Sequence, residues 1–267
     1  MGRRVADKRD KGDKGDKGDK SGGVRTPARK QSRAWENTKS IVSTIAIFLF
    51  LRAFIVEAYR IPSPSMVPTL LVGDWLFVNK MRYGPHVPFT NWRLPGYATP
   101  KRGDVIVFMS PYQADEAARN QDPTPTLVKR LQGVGGDTLY MRAGLLFVNG
   151  EPRPLTFKPD TVSDPNDAGP QFDWQHKYEL KQSRFGAAPA QPTHDNWGPI
   201  VIPPGYFFMM GDNRYDSKDS RYWGIVPRAN IRGRPLFIYY SYNGDDSDRP
   251  LPFITDIRWS RLGHWIR

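Results

Sequence analysis

An apolar segment of sixteen residues near the amino terminus, Ile41 to Val56, constrains the architecture of this chain more than any other feature. Only three of its residues are polar. As an α-helix the segment would rise about 24 Å, slightly less than the roughly 30 Å hydrocarbon core of a bilayer. Trp35 and Tyr59 flank it where the two interfaces would lie, and Arg52 can extend its charge towards water. The segment therefore predicts a single membrane anchor.

Two other interpretations of this segment are a buried core helix and a cleaved signal peptide. A core helix is disfavoured by the length of the segment and by the aromatic residues on both sides. A signal peptide is disfavoured because the preceding basic region is long and no small-x-small cleavage site follows.

The net charge of +12 is concentrated before this segment, since residues 1–40 contain thirteen Lys or Arg and six Asp or Glu. Basic residues accumulate on the cytoplasmic side of membrane helices. That rule explains the asymmetry better than nucleic-acid binding does, so we expect no nucleic-acid partner. We expect a disordered cytoplasmic tail at 1–36, one crossing of the lipid bilayer at 37–59, and an extracytoplasmic domain at 60–267. The acidic residues in the tail differ from a transit peptide and favour a bacterial plasma membrane.

The chain after the apolar segment has the pattern of a β-rich domain. The 24 glycines and 25 prolines of the whole chain favour many short strands and turns over a helical bundle. Gly-Asp pairs precede three apolar runs, Trp75–Val78, Val105–Phe108 and Thr138–Met141. Leu145–Val148 leads into Asn149-Gly150, a strong hairpin signal. Further predicted elements are strands at Leu127–Gln132, Val201–Ile202, Tyr206–Met210 and Pro235–Tyr242, and an irregular insertion at 152–198.

The chain leaves the apolar segment through a proline-rich stretch that contains two serines. The stretch reads Arg60-Ile61-Pro62-Ser63-Pro64-Ser65-Met66-Val67-Pro68-Thr69-Leu70. Proline fixes φ and has no N–H, so Ser63 and Ser65 are held in a preset, extended backbone. A serine held rigidly at a membrane surface is a candidate nucleophile for a substrate that lies in the same membrane.

Few residues are candidates for the base that would activate such a serine. The chain has no cysteine, which excludes disulfides, thiol catalysis and zinc–thiolate sites, and no motif surrounds any of its four histidines. In the predicted strand, Lys129 shares one face with Leu127 and Leu131. Burial on that face would lower the pKa of Lys129 and let its neutral amine accept a proton. The alternative is an edge lysine that keeps its charge in water.

A dense polar loop, Gly211 to Gly224, follows the predicted strand that ends at Met210. Two interpretations of this loop are an ordinary solvated surface loop and a loop that binds a cation. Because Arg214, Lys218 and Arg221 dilute the acidic positions and the EF-hand spacing is absent, we expect no metal site here.

Four segments, in this order, resemble the type I signal peptidases, also called leader peptidases: Arg60–Leu70, Gly103–Phe108, Val128–Asp137 and Gly211–Gly224. The apolar segment directly before the first serine motif matches this family as well. The resemblance implies a mainly β fold, with an all-β catalytic domain behind a single N-terminal transmembrane helix. It implies a membrane-bound serine endopeptidase that removes signal peptides from exported preproteins after small residues, without a cofactor.

By motif position the resemblance also implies roles for individual residues. Ser65 would be the nucleophile, and Lys129 the general base that later protonates the leaving amine. Ser63 would donate its hydroxyl to the oxyanion hole, together with the backbone N–H of Ser65. Ser217 would hydrogen-bond to the lysine and orient it. The remaining implied roles are a supporting ion pair of Asp219 and Arg221, and a substrate or lipid contact by Met66.

The chain departs from the family pattern at Pro64, where relatives often have a small residue, and in having one predicted span where some relatives have two.

Two alternative functions are a cytoplasmic regulatory autoprotease and a non-catalytic binding protein. A cytoplasmic regulatory autoprotease with Ser-Lys chemistry would need a folded DNA-binding domain in place of the low-complexity tail. A non-catalytic anchored binding protein with the same fold is disfavoured by the presence of both Ser65 and Lys129.

Overall fold

The computed structural model describes residues 33–90, 92–153, 168–244 and 247–267. By its internal contacts the chain divides into two compact units, Met1–Thr44 and Ile45–Arg267. The expected disordered tail lies almost wholly outside the described residues, as does part of the expected insertion at 152–198.

The amino-terminal helix, α1 (Arg33–Phe50), continues into one π-helical turn, Leu51–Ile55. The stretch Trp35–Ile55 has 21 residues and a mean hydropathy of 1.7, so by length and composition it is able to cross a membrane. Its large apolar side chains are exposed along α1. Helical structure ends before the expected boundary at 59, because Val56 is already extended and begins a strand.

Eleven strands lie in the described part of the second unit, and they fall into two antiparallel sheets. The strands are β1 (Val56–Arg60), β2 (Asp74–Asn79), β3 (Val105–Met109), β4 (Thr126–Val134), β5 (Thr138–Arg142), β6 (Leu145–Val148), β7 (Glu151–Arg153), β8 (Trp197–Val201), β9 (Tyr206–Met210), β10 (Val226–Pro227) and β11 (Ile231–Ser241). The larger sheet has the order β1-β2-β11-β3-β4-β9-β10, and the smaller one has the order β7-β6-β5-β8. This architecture confirms the mainly β fold expected from the sequence.

Short helices and turns connect the strands. These elements are α2 (Ala114–Ala118), α3 (Ser220–Trp223), α4 (Pro252–Thr255), and 3₁₀ segments at Pro64–Met66, Pro170–Tyr178, Arg228–Asn230 and Trp259–Arg261. The Pro64–Met66 turn lies between β1 and β2, α2 lies between β3 and β4, and α3 follows β9. The connections between strands of the larger sheet therefore carry the serine turn and the polar loop, whereas Lys129 lies within β4 itself.

The cores of the two sheets follow from the alternation of apolar residues. In β2, Leu76 and Val78 are fully buried, while the residues between them are half-buried. Phe208 of β9 packs with Leu139 of β5 and Trp197 of β8 in one cluster, so the larger sheet contributes to the core of the smaller one. Fully burying one such side chain stabilises the fold by about 1.5–3 kcal/mol.

Most of the predicted strands are present with small changes at their ends. The Asn149-Gly150 pair forms the predicted two-residue hairpin turn, with Val148 opposite Glu151 and positive φ at both turn residues. The strand predicted at 201–202 instead runs from Trp197 to Val201 as β8. The described residues of 152–198 comprise the end of β7, a 3₁₀ helix at Pro170–Tyr178, irregular chain and the start of β8.

Candidate active site

Ser65 lies in a rigid turn between β1 and β2. Ser63 is extended, and Val67 N–H closes the following 3₁₀ turn by donating to the Pro64 carbonyl at 3.0 Å. The carbonyl of Ser65 accepts from the backbone N–H of Asn213 at 3.1 Å, which ties the turn to the polar loop after β9. The prolines thus fix the backbone on one side of Ser65, and a long-range hydrogen bond fixes it on the other.

Met66 does not have the role that the sequence suggested. Its side chain is fully buried in the cluster that contains Ile61 and Leu70. It therefore holds the serine turn on the core and presents almost no surface for a contact with substrate or lipid.

Lys129 is brought against Ser65 by β4, the neighbour of β3 and β9 in the larger sheet. Its side chain is 3% exposed, and Nζ lies 2.6 Å from Ser65 Oγ within hydrogen-bond distance. The pKa of Lys129 is lowered from 10.5 to about 8. Burial is the largest cause, the Asp219 charge opposes it, and the Arg221 charge adds to the lowering. Of the two alternatives for this lysine, the structure therefore has the buried one.

Ser63 lies at the exposed edge of the same turn. Its hydroxyl oxygen is 3.3 Å from Ser65 Oγ. From this position the Ser63 hydroxyl can rotate towards an oxyanion that forms on a substrate carbonyl beside Ser65.

Asp219 and Arg221 form a fully buried ion pair behind the lysine. Arg221 Nε and Nη2 donate to the two carboxylate oxygens of Asp219, each at 2.8 Å, in a bidentate arrangement. Burial by itself would raise the pKa of Asp219, but the charge and hydrogen bonds of Arg221 hold that pKa below its ordinary value. The carboxylate therefore stays charged next to Lys129.

Ser217 contacts Asp219 and not Lys129 in this structure. Its Oγ donates to Asp219 Oδ2 at 3.0 Å, so the expected hydrogen bond to the lysine is not the one its hydroxyl makes. Asp219 Oδ2 also accepts from the backbone N–H of Gly211 at 3.0 Å. The Asp219 carboxylate thus holds Gly211 and Ser217 of the polar loop in place next to Lys129.

Gly211 is packed between the two serine segments. A Cβ added to it would lie 2.3 Å from Ser217 Oγ and 2.5 Å from the carbonyl oxygen of Ser65. Because the contact with Ser65 is to backbone, only glycine fits here without moving the turn that carries the serine.

A second, partly buried ion pair links β4 to the polar loop after β9, with Thr69 of the serine segment bonded to its carboxylate, and sequence reasoning missed it. Arg130 Nε and Nη2 donate to the two oxygens of Asp212 at 2.7 Å, and Thr69 Oγ1 donates to Asp212 Oδ2 at 2.6 Å. No local pattern in the sequence indicates this pair, because Arg130 and Asp212 are 82 positions apart and meet only through the packing of β4 against the end of β9.

A cavity of about 1300 Å³ opens beside the two serines. Its lining includes Ser63, Ser65, Lys129, Trp174, Ser217 and Tyr222. One wall is formed by α2 and its flanking residues, which Lys218 ties to the polar loop by donating to Glu116 at 3.0 Å. A cleft of this size has room for an extended peptide beside the Ser65 hydroxyl, which hydrogen-bonds to the Lys129 amine.

Comparison with known proteins finds relatives over most of this chain. Residues 34–240 match the family model described as signal peptidase, peptidase S26. Proteins named signal peptidase I from Pseudomonas fluorescens and Pseudomonas aeruginosa are 36% and 34% identical over 247 residues, which cover 85% of this chain and 78% of each relative. One from Aquifex aeolicus is 32% identical over 76% of this chain and 84% of its own length. A solved signal peptidase I from Enterococcus faecalis is 26% identical over 51% of this chain and 96% of its own, at a TM-score of 0.29.

The family match spans more than half of the chain and includes the serine turn, β4 and the polar loop. The chain therefore belongs to the signal peptidase, peptidase S26, family.

Proposed function

We propose that this protein is a membrane-anchored signal peptidase I in which Ser65 and Lys129 form the catalytic dyad. Membership of the family makes it a serine endopeptidase that removes signal peptides from preproteins. The observation that carries the dyad is the 2.6 Å separation between Lys129 Nζ and Ser65 Oγ at a buried position.

The chemistry begins when the neutral amine of Lys129 accepts the hydroxyl proton of Ser65. The serine oxygen attacks the scissile carbonyl, and the oxyanion accepts hydrogen bonds from the Ser63 hydroxyl and the Ser65 backbone N–H. When the tetrahedral intermediate collapses, the C–N bond breaks and the lysine ammonium gives its proton to the leaving amine. Water then attacks the acyl-enzyme carbonyl and gives a proton to Lys129 Nζ. The bond between Ser65 Oγ and the acyl carbon breaks, the lysine ammonium returns its proton to Ser65 Oγ, and the signal peptide leaves with a new carboxyl group.

The lowered pKa of Lys129 supports this assignment. An amine with a pKa of about 8 is neutral in a substantial fraction of molecules near pH 8, whereas one with a pKa of 10.5 is almost wholly charged. Its burial supplies the main cause of this change. Asp219 and Arg221 act as positioning residues, and Ser217 acts on the lysine through Asp219.

The proposed topology has the residues before Trp35 in the cytoplasm, the helix Trp35–Ile55 in the plasma membrane, and the chain from Val56 onward outside. Its support is the exposed apolar helix Trp35–Ile55 together with the excess of basic residues before it. This topology presents Ser65 just beyond the outer end of the anchor, where the small residues that follow a signal peptide's apolar stretch emerge from the bilayer.

The dyad is tested with the purified full-length protein in detergent and a preprotein substrate with one cleavage site. Ser65→Ala and Lys129→Ala should both abolish cleavage, because one lacks the nucleophile and the other lacks the base. Ser260→Ala and Lys101→Ala change exposed residues of the same types and should cleave normally. Full activity in either dyad variant would refute the assignment.

The topology is tested with single cysteines, since the wild-type chain has none. In right-side-out membrane vesicles, a membrane-impermeant maleimide should label Ser260→Cys and leave Ser21→Cys unlabelled until detergent is added. The reverse labelling pattern would contradict the proposed orientation.

A further inference from the structure

His194 is a buried histidine beside the Asp219–Arg221 pair, and the proposed reaction does not use it. Its side chain is 3% exposed, and it lies in the irregular chain just before β8. Nδ1 lies 2.7 Å from Asp195 Oδ1, and Nε2 faces Nη1 of Arg221 within hydrogen-bond distance. The imidazole thus bridges a carboxylate and the guanidinium that holds Asp219.

The partners of His194 determine where its proton lies. A guanidinium only donates hydrogen bonds, so Nε2 of a neutral imidazole accepts from Arg221 Nη1. The ring proton is then on Nδ1, where it donates to Asp195. Nε2 is also 3.0 Å from the Arg214 carbonyl, and Arg221 Nη2 donates to that same oxygen at 2.5 Å. The carbonyl therefore has a donor when Nε2 carries no proton.

His194 completes the set of acceptors around Arg221. Nε and Nη2 of Arg221 are taken by the two oxygens of Asp219, and His194 supplies the acceptor that Nη1 faces. The two oxygens of Asp219 and Nε2 of His194 therefore fix the orientation of the fully buried Arg221 guanidinium. The rings of Tyr215 and Tyr222 pack near the imidazole, with centroids 5.3 Å and 6.0 Å away, and fix its plane.

We infer that His194 is a positioning residue for the signal peptidase reaction, acting on the Ser65–Lys129 dyad through Arg221 and Asp219. Asp219 Oδ2 accepts hydrogen bonds from the N–H of Gly211 and the hydroxyl of Ser217. Gly211 packs against the turn that carries Ser65, and Ser217 lines the cavity. A shift of Arg221 would therefore move the carboxylate and the loop that borders the dyad. The inference rests on the proposed function, because it assumes that this dyad performs the cleavage.

The electrostatic surroundings of Lys129 provide a specific readout. Asp219 raises the pKa of Lys129, and Arg221 lowers it. If Arg221 loses its fixed place against Asp219, the lysine experiences more of the carboxylate charge and less of the guanidinium charge. The pKa of the essential amine should then rise, and the acid limb of the pH profile for kcat/KM should move to higher pH. Loss of packing without reorientation of Arg221 would not move this limb.

The experiment compares three histidine variants of the full-length protein. His194→Phe keeps a ring but has no acceptor, and His194→Gln has a side-chain carbonyl that can accept from Arg221. His176→Ala removes an exposed histidine from the same part of the chain and is the matched control. We expect His194→Phe to lower kcat about tenfold with little change in KM and to move the acid limb to higher pH. His194→Gln and His176→Ala should stay near wild type in both measurements.

A folded His194→Phe with the wild-type kcat and acid limb would overturn the inference. If His194→Phe does not fold, as judged by circular dichroism, His194→Gln decides: a wild-type acid limb and kcat support the inference, and a displaced limb overturns it. Ser65→Ala is measured alongside. Cleavage by Ser65→Ala refutes the proposed function itself, whereas an inactive Ser65→Ala with an unaltered His194→Phe refutes only the role of His194.

Discussion

Lys129 Nζ lies 2.6 Å from Ser65 Oγ, although 64 positions separate the two residues in the chain. The serine is presented by a proline-bounded turn after β1, and the lysine by a central strand of the larger sheet. Two ion pairs, Arg130 with Asp212 and Arg221 with Asp219, hold the segments around this contact. The dyad therefore depends on polar contacts between elements that are remote in sequence.

The pH dependence of cleavage should follow the lysine. Because the neutral amine is the reactive form and burial lowers the pKa of Lys129 to about 8, kcat/KM should rise with pH and level off above about 8. Steady-state cleavage of a preprotein peptide between pH 6 and 10 measures this limb. An acid limb centred near the ordinary lysine pKa would contradict the assignment.

Replacing Lys129 with methionine should stabilise the fold while abolishing activity. A folded-state pKa below the unfolded value means that the protonated lysine destabilises the fold at pH values below about 8, and that this cost disappears as pH rises towards 10.5. The difference between the folded-state and unfolded-state pKa of Lys129 corresponds to a loss of roughly 3 kcal/mol in the free energy of unfolding at pH 7. Denaturant unfolding of Lys129→Met at pH 7 and pH 10 should give a large gain only at the lower pH. The exposed Lys101→Met should give no such difference.

Ser63→Ala should slow cleavage without abolishing it. The variant loses one hydroxyl donor to the oxyanion while the Ser65 N–H remains, and removal of one such donor typically costs about 10²–10³ in kcat. KM should change little, because the oxyanion exists only in the transition state. Ser63→Thr keeps a hydroxyl and should retain more activity than the alanine variant. Equal rates for Ser63→Ala and wild type would exclude this role.

Gly211→Ala should damage the active site more than the fold. The new Cβ would meet Ser217 Oγ at 2.3 Å and the Ser65 carbonyl at 2.5 Å, so the serine turn must move. A displacement near 1 Å at reacting groups is enough to cost about a hundredfold in rate. Gly169→Ala is the matched control, since its Cβ meets only the flexible end of the Gln171 side chain. Comparable activity in the two variants would contradict the tight packing around Gly211.

Asp219→Ala should be strongly destabilising, because it leaves the Arg221 guanidinium buried without its carboxylate. Breaking a buried pair by removing one partner costs about 3–5 kcal/mol. Arg119→Ala removes an exposed partner of Asp115 and should cost less than about 1 kcal/mol. Chemical denaturation of both variants measures the contrast, and a small loss for Asp219→Ala would show that Arg221 finds another acceptor.

The sequence predicted the β strands closely where the signal was local. Gly-Asp turns before apolar runs fixed the starts of β2, β3 and β5, and Asn149-Gly150 fixed the hairpin between β6 and β7. Alternation in β4 placed Lys129 on one face with Leu127 and Leu131 but left open whether that face is buried, and the structure buries the lysine. Each of these patterns depends on a few consecutive residues, whose turn conformation and side-chain direction are set by the backbone itself.

The sequence alone determined the apolar helix that is long enough to cross a membrane, the β-rich class, and the residue types available for catalysis. Hydropathy, turn chemistry and composition are properties of short stretches. Only the tertiary structure decided that Ser217 bonds to Asp219, that Met66 belongs to the core, and that Asp212 and His194 stand behind the site. These contacts join segments that are far apart in the chain. Which donor meets which acceptor there depends on how the strands pack, and no local pattern encodes it.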